Sequence, residues 1–494
     1  MMAENDRNSY SSIFKAIGLF GGVKFIQIIV GIIKNKLVAL LLGPSGMGIY
    51  GLITSNTQLV KSITDCGLHT SSIRELSKSY TSGDEAKTSR TISVFRKLVI
   101  LTGLVGSVIV FAFSKQFSQL SFGNHDYAAA YKLVSLTLLL DQLCVGQTAL
   151  MQGTFHYKWM ARSSLLGSVL GLLVSIPLYY IWGVKAIVPV ILVSSILALV
   201  LSWHYSNKIK INKAVVTLKE SLIEGRAMLL LGIAIAASSI IRVGKAYSLR
   251  IYISHLGSIA DVGLFTSGIA ISIQYIDVIL SSMGSDYSPR LSAIVNDNSK
   301  FVETINKQIR LMCSLLLPLM ILFIVFVREI VILLYSKEFI AIESMVIWMM
   351  FSMFLRAISW CLSFPLVALG NPKLYFWNEF SSELYSLLFS MLGYYYLGFL
   401  GLGIAFFFTQ LCFTIQMFIV SRKFYHFKLT LANRESILYN VLLLVALFIV
   451  LLLFRNSILG YVLCGILFIL SLHYSLNQVN EMVNFKHFIL SKLK

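Results

Sequence analysis

Residues 224–254 read EGRAMLLLGIAIAASSIIRVGKAYSLRIYIS. The run is long and apolar enough to cross about 30 Å of hydrocarbon as a helix, yet it carries Arg242, Lys245 and Arg250. Ser238, Arg242, Lys245, Ser248, Tyr252 and His255 follow one another at three- and four-residue steps, which puts them on one polar stripe. A charged side chain near the bilayer centre costs roughly 2.5–3.5 kcal/mol, so such a stripe has to face protein or a water-filled cavity.

The same pattern extends in both directions along the chain. Of 494 residues, 57% are hydrophobic and 13% charged, a composition far from that of a soluble protein. Apolar runs near 13–42, 44–75, 91–114, 128–157, 159–182, 184–206, 224–254, 258–287, 306–335, 342–369, 372–397, 399–421, 437–454 and 457–476 predict an all-α, polytopic integral membrane protein with about fourteen transmembrane helices. Several runs exceed the twenty or so residues needed to cross, which implies tilt or extension beyond the bilayer. A soluble α/β fold would need short runs separated by polar, Gly- and Pro-punctuated connections, and these runs are helix-length.

The net charge of +19 is gathered neither in a soluble domain nor in a basic tail, which argues against a nucleic-acid partner. Lys and Arg fall in alternate connections: Lys78 to Lys97, Lys158 and Arg162, Lys208 to Arg226, Arg290 to Arg310, Arg422 to Arg434 and the tail. The opposite connections hold only Lys115, Lys185, Lys337 and Arg455. By the positive-inside rule both termini lie in the cytoplasm, and this topology accounts for most of the excess charge. No short cleavable segment opens the chain, so the first spans are expected to direct insertion themselves. The six cysteines are scattered singly, without metal spacing, and read as packing residues. No Walker or nucleophile motif is evident, so ATP is not expected to be a direct energy source.

Spans one and two repeat the cationic theme with Lys24, Gln27, Gly31 and Lys34, then Thr54, Gln58, Lys61, Asp65 and Ser72. Six or so lipid-facing cations would cost on the order of 15–20 kcal/mol, so these stripes are expected to converge between two halves of the chain. Lys24, Lys34, Lys61, Arg242, Lys245 and Arg250 are therefore the candidate ligands for an anionic substrate. Lys61 and Asp65 also form an i, i+4 pair, and Asp141 and Asp277 are candidate partners for Arg242 and Lys245. Arg74, Arg290 and Lys15 lie near cytoplasmic ends, where snorkelling explains them. Span eight carries Ser267, Gln274, Asp277, Ser281 and Gly284 in register. Span eleven carries Asn378, Glu379, Ser382 and Glu383. Asp277, Asn378, Glu379 and Glu383 are candidates for Na+ or H+ coupling, since hard ions want clustered oxygens and paired carboxylates share a proton. Glu379 and Glu383 equally suit an ion pair with Arg356. No other cofactor is implied.

The basic segment 207–223, with Val215, Val216, Leu218, Leu222 and Ile223, is expected to lie along the cytoplasmic interface. It would join a six-helix bundle at 1–206 to a second at 224–421, followed by two additional helices at 437–476 and a cytoplasmic tail at 477–494. An internal repeat supports the division. KLVALLLGPSGMGIY places Gly43, Gly48 and Tyr50 after Lys36, and RIYISHLGSIADVGLF places Gly257, Gly263 and Phe265 after Arg250, with one residue inserted.

Taken together, NKLVALLLGPSGMGIYGL at 35–52, the polar span running to Arg74 and the repeated pair after Arg250 resemble the polysaccharide and lipid-oligosaccharide flippases. These are the Wzx-like branch of the multidrug/oligosaccharidyl-lipid/polysaccharide exporter superfamily. The resemblance covers almost the whole chain. It implies two pseudosymmetric bundles around a central V-shaped cavity, alternating access, and a place in the bacterial inner membrane. The implied cargo is an undecaprenyl-pyrophosphate-linked oligosaccharide, such as an O-antigen repeat unit, moved from the cytoplasmic to the periplasmic leaflet. Implied partners are membrane lipids, a polysaccharide polymerase and chain-length machinery. The six cations suit a pyrophosphate, and Tyr50, Tyr247 and Tyr252 suit sugars. Helices beyond the twelve of many members resemble the plan of the peptidoglycan lipid flippase branch. Two other readings compete. A cation-coupled multidrug or small-solute antiporter would call for an acidic or aromatic cavity. A membrane-embedded glycan polymerase would need catalytic residues on a sizeable loop, whereas the longest outer connection runs only from about Ser114 to Tyr127, so the chain is not expected to be an enzyme.

Overall fold

Three glycines with left-handed backbone mark where the longest helices bend. Gly43 (φ 63°) precedes Pro44 inside helix α1 (Met2–Thr64), Gly183 (φ 53°) follows α6 (Tyr157–Trp182), and Gly398 (φ 57°) interrupts the helix Pro372–Tyr425. An L side chain disfavours this conformation and glycine does not. In the computed structural model every regular element among the described residues is helical. The described residues are 2–209, 214–274, 297–369, 372–454 and 457–483, with part of 277–295; within 2–25 only the Val23 side chain is described. Lys15 and Lys24 therefore lie outside the described side chains, and Lys210, Lys213 and residues 484–494 lie outside altogether.

Nine of these helices are long and apolar enough to cross a membrane, ten if the bent pair Arg226–Ile233 and Ala236–Leu256 is one span. Three of them, Ile26–Thr64, Tyr157–Ser206 and Lys373–Tyr425, have 39, 50 and 53 residues. Fifty residues of helix extend about 75 Å, more than twice the hydrocarbon thickness. Each of the three breaks at the glycine that separates two apolar runs in the sequence.

Contacts divide the chain into two units, Met1–Leu264 with Leu334–Ser336, and Phe265–Leu333 with Lys337–Lys494. The first contains α1, α2 (Leu68–Thr81), α3 (Glu85–Ala112), α4 (Ser114–Phe122), α5 (Ala128–Gly153), α6, α7 (Ile187–Ser206), α8 (Leu218–Glu224), α9 (Arg226–Leu256) and the start of α10 (Ile259–Ile269). Its core gathers Leu76, Ile92, Phe95, Val99, Leu150 and Met151. Helix α9 packs on α1 and α2, within this unit. In the basic segment 207–223 Val216 is buried while Val215, Leu218, Leu222 and Ile223 are exposed, which leaves an apolar strip along a short helix. Thr217 and Glu220 cap α8 reciprocally, and the Thr217 N–H holds the Glu220 carboxyl below its ordinary range. Arg90 donates to both oxygens of Glu224 and lowers that carboxyl too, tying α8 to α3.

Close backbone crossings organise this unit. A Cβ on Gly67 would overlap the Gly232 carbonyl, and one on Gly232 would overlap the Cys66 carbonyl. The sequence repeat meets itself in the same way: a Cβ on Gly48 would strike the Ile259 carbonyl, and one on Gly263 would strike the Pro44 carbonyl. Residue 44 stands to 48 as 259 stands to 263, so the two contacts exchange under the repeat. Reciprocal pairing of this kind is the mark of a local two-fold axis, and it explains why glycine occupies both positions.

The second unit is built on α11 (Asn298–Val325), whose Ile305, Ile309, Met312, Cys313, Leu316, Leu317, Met320, Ile321 and Ile324 are all at most 1% exposed. It packs against α13 (Glu343–Ala368), α15 (Leu431–Phe454) and α16 (Ile458–Val483), while α13 pairs with α14 (Pro372–Tyr425). The short α12 (Val327–Leu334) follows α11. Asn306 binds the connection ahead of α15: its amide donates to the Lys428 carbonyl at 3.0 Å, and its side-chain oxygen accepts from Thr430 N–H at 3.2 Å.

Candidate functional site

Helix α1 ends at Thr64, and the chain turns through Asp65, Cys66 and Gly67 before α2 begins. The Asp65 N–H still closes the last turn onto the Lys61 carbonyl at 2.8 Å, but the two side chains take other partners, which corrects the expected Lys61–Asp65 pair. Lys61 Nζ instead lies 3.8 Å from Asp141 of α5, their side chains being 23% and 39% exposed. Asp65 accepts from Gln142 Nε2 at 2.7 Å, and the same amide reaches Thr102 Oγ1 of α3 at 3.1 Å. One lysine, two carboxylates and a buried glutamine thus link α1, α3 and α5. The physical cause is the close approach of Gly67 to Gly232, which no local periodicity reveals.

Lys34 sits on the wall of a cleft of about 360 Å3 bordered by α1, α5, α6 and α7. Hydroxyls of Thr148, Ser163, Ser164, Ser168, Ser194 and Ser202 dominate the polar lining. Gln27 of the same helix face donates to Ser164 at 2.6 Å, and the Lys34 ammonium stands 5.8 Å from the Tyr50 ring centroid. A cation among neutral donors suits an anion, because hydroxyls turn to donate and no carboxylate lines this cleft. A stripe of small residues on α6, Ser164, Gly167, Ser168 and Gly171, makes room for it.

On α9 the polar stripe divides. Arg242 is exposed, and Lys245 and Arg250 are half-buried. Arg250 donates to the Ala246 carbonyl one turn back at 3.0 Å. Tyr247 is 3% exposed, and its hydroxyl meets Asn56 Nδ2 and Ser121 Oγ, each at 2.7 Å. Both sides of that hydroxyl are used and the ring is enclosed, so Tyr247 is a packing bolt rather than a sugar platform. Ser254 donates to the Ser121 carbonyl at 3.0 Å, and His255 contacts the Leu120 carbonyl at 2.8 Å. Together they fasten α9 to α4, in a stretch read from the sequence as an outer loop.

In the second unit, Asp277 pairs with Arg356 at 2.6 Å. The ion pairs formed by Asp141 and Asp277 thus go to Lys61 and Arg356 rather than to Arg242 or Lys245. Asn378 is 7% exposed and accepts from Gln416 Nε2 at 2.7 Å, and the same amide reaches Ser381 at 3.0 Å. Tyr385 donates to Gln416 Oε1 at 3.2 Å. Glu379 and Glu383 stand one turn apart on one face of α14, with Asn378 adjacent in sequence to Glu379. Among the described residues no group of three or more His, Cys, Asp or Glu is arranged to hold a metal ion.

Comparison with known proteins agrees with this architecture. The chain is 25% identical over 287 residues to a putative O-antigen transporter of Shigella flexneri, a match spanning 57% of this chain and 66% of that protein. The fold superposes on the lipid II flippase MurJ in its inward closed conformation with a TM-score of 0.73, covering 94% of this chain and 99% of MurJ at 14% identity. It superposes on an inward-facing multidrug resistance MATE family transporter of the MOP superfamily with a TM-score of 0.72, covering 83% and 96% at 14% identity. The chain therefore shares the fold of these two proteins. A family model described as polysaccharide biosynthesis protein matches residues 37–344, and the chain belongs to that family.

Proposed function

We propose that this protein flips a lipid-linked oligosaccharide, carried on a polyprenyl pyrophosphate such as undecaprenyl pyrophosphate, between leaflets of a bacterial inner membrane by alternating access. The observation that carries the proposal is Lys34 in a hydroxyl-lined cleft inside a family of polysaccharide biosynthesis membrane proteins. A pyrophosphate entering the membrane loses its hydration and needs fixed cations in its place. Lys34 and Lys61 on α1, and Arg242, Lys245 and Arg250 on α9, provide them, with Lys24 one more candidate on the same helix. Asp141 acts as the resident counter-ion of Lys61 until substrate arrives. The sugars stay in water, which explains why the cleft is hydroxylic rather than aromatic. Counting each long broken helix as two passes, the bent pair as one and 258–287 as one gives fourteen spans, with both termini cytoplasmic. Asp277, Asn378, Glu379 and Glu383 are the proposed place of Na+ or H+ coupling. The two-bundle division at 207–223, and docking of a polymerase with its chain-length partner, complete the reading.

The runner-up is a cation-coupled multidrug antiporter, favoured by the nearly equal likeness of the fold to a multidrug transporter. The two part on ligand charge. Purified protein titrated with a short-chain polyprenyl pyrophosphate should bind it at least tenfold more tightly than the matching polyprenol, and Lys34→Gln should remove most of that preference. Equal affinity for the two, or preference for a lipophilic cation, overturns the flippase reading.

A further inference from the structure

A second cleft, of about 260 Å3, lies in the second unit and takes no part in the proposed transport. Its polar lining is Arg328, Glu329, Glu343 and Tyr461, and its apolar wall includes Val450 and Leu451. These residues all sit near helix ends. Arg328 and Glu329 open α12, Glu343 opens α13, Leu451 closes α15 and Tyr461 begins α16. Helices of 24 to 28 residues extend about 36–42 Å, so their ends reach the boundary of a hydrocarbon layer about 30 Å thick. Beside the cleft Phe326, Leu453, Ile458 and Val462 are exposed apolar side chains, a surface that acyl chains would cover.

Among the described residues the cleft therefore offers one cation, two carboxylates and a phenol at headgroup depth, beside a lipid-facing wall. Both signs of charge in one small site call for a ligand that carries both. Arg328 provides the planar donor fork that phosphate oxygens accept. Glu329 and Glu343 suit a primary ammonium, whose three N–H donors a choline headgroup lacks. A glycerol headgroup brings the same phosphate charge but no ammonium to offset the two carboxylates. The volume is below the roughly 300–1,000 Å3 of sites that enclose a drug-sized molecule, which admits one headgroup and excludes a chain of sugars.

We propose that this cleft binds the headgroup of a phosphoethanolamine phospholipid, phosphate on Arg328 and ammonium on Glu329 and Glu343, and that the bound lipid fastens α15 and α16 to α11, α12 and α13. The inference needs only a membrane setting, so it stands or falls separately from the transported substrate.

The test uses the full-length protein in detergent, its melting followed as dioleoyl phosphatidylethanolamine, phosphatidylcholine or phosphatidylglycerol is added at equal mole fraction. Soluble glycerophosphoethanolamine forms a fourth arm. Arg328→Gln and the double change Glu329→Gln, Glu343→Gln are measured beside the parent; Arg328 and Glu329 are exposed, so their loss should leave folding intact. Phosphatidylethanolamine should act at about tenfold lower concentration than the other two lipids, the worth of one charge-assisted hydrogen bond. Each variant should abolish the difference, and the soluble headgroup alone should have no effect. Equal stabilisation by all three lipids, or a phosphatidylethanolamine preference that survives both variants, overturns the proposal. An equal shift from glycerophosphoethanolamine overturns the lipid and leaves a soluble phosphate–amine ligand.

Discussion

Lys61 and Asp141 distinguish a substrate-binding lysine from a structural ion pair. At 3.8 Å two unit charges attract by about 1 kcal/mol in bulk water and about 4 kcal/mol at an effective dielectric constant of 20. Both side chains are partly exposed, so the lower figure applies. Asp141 therefore opposes an anion at Lys61 by about 1 kcal/mol, and Asp141→Asn should tighten polyprenyl pyrophosphate binding about sixfold. Lys61→Gln should weaken binding by tenfold or more, and in that background Asp141→Asn should have no further effect. Isothermal titration on the four proteins closes the cycle. The charge swap Lys61→Asp, Asp141→Lys sharpens the result. A structural pair tolerates reversal and would bind normally, whereas a lysine that meets phosphate does not. Full binding and transport by the swapped protein would refute the assignment of Lys61 to the site.

Gly67→Ala should cost several kcal/mol, combining about 1–3 kcal/mol of left-handed backbone strain with overlap on the Gly232 carbonyl; Gly465→Ala, which meets nothing within 4 Å, should melt like the parent in a fluorescence thermal-shift assay. Tyr247→Phe should lower stability by about 1–3 kcal/mol, since Asn56 and Ser121 lose a buried partner, while leaving pyrophosphate affinity unchanged; a selective loss of sugar binding would return Tyr247 to the site. Because Arg90 depresses the Glu224 carboxyl in the folded protein, the tie between α8 and α3 should be complete above the ordinary carboxylate range and vanish as pH falls through the depressed value. Limited proteolysis within 207–223 should accelerate over that acidic interval, and Glu224→Gln should cleave at the fast rate at every pH.

The helical architecture was legible because the bilayer imposes it: runs that end at Gly43, Gly183 and Gly398 are the runs between which the helices bend. The repeat was also legible, because backbone crossings at Gly48 and Gly263 tolerate no side chain. Partner choice was not. Periodicity offered Asp65 to Lys61, but each side chain finds its partner on α5 instead. Helix α4 is rich in Ser and Gln and has no apolar periodicity of crossing length, so it read as a loop; Tyr131, Tyr247 and Ser254 fasten it through Ser121. The hydroxyl cleft escaped notice because serines spaced along α6 look the same whether they pack a helix or line a site.

The most direct measurement of the central claim is translocation itself. Purified protein is reconstituted into liposomes containing a fluorescent polyprenyl-pyrophosphate oligosaccharide, and exposure of the label on the far leaflet is timed against protein-free liposomes. The account predicts acceleration that Lys34→Gln and Lys61→Gln each abolish, with both variants inserted in normal amounts. No acceleration under any Na+ or H+ gradient, or acceleration that both variants retain, would contradict it.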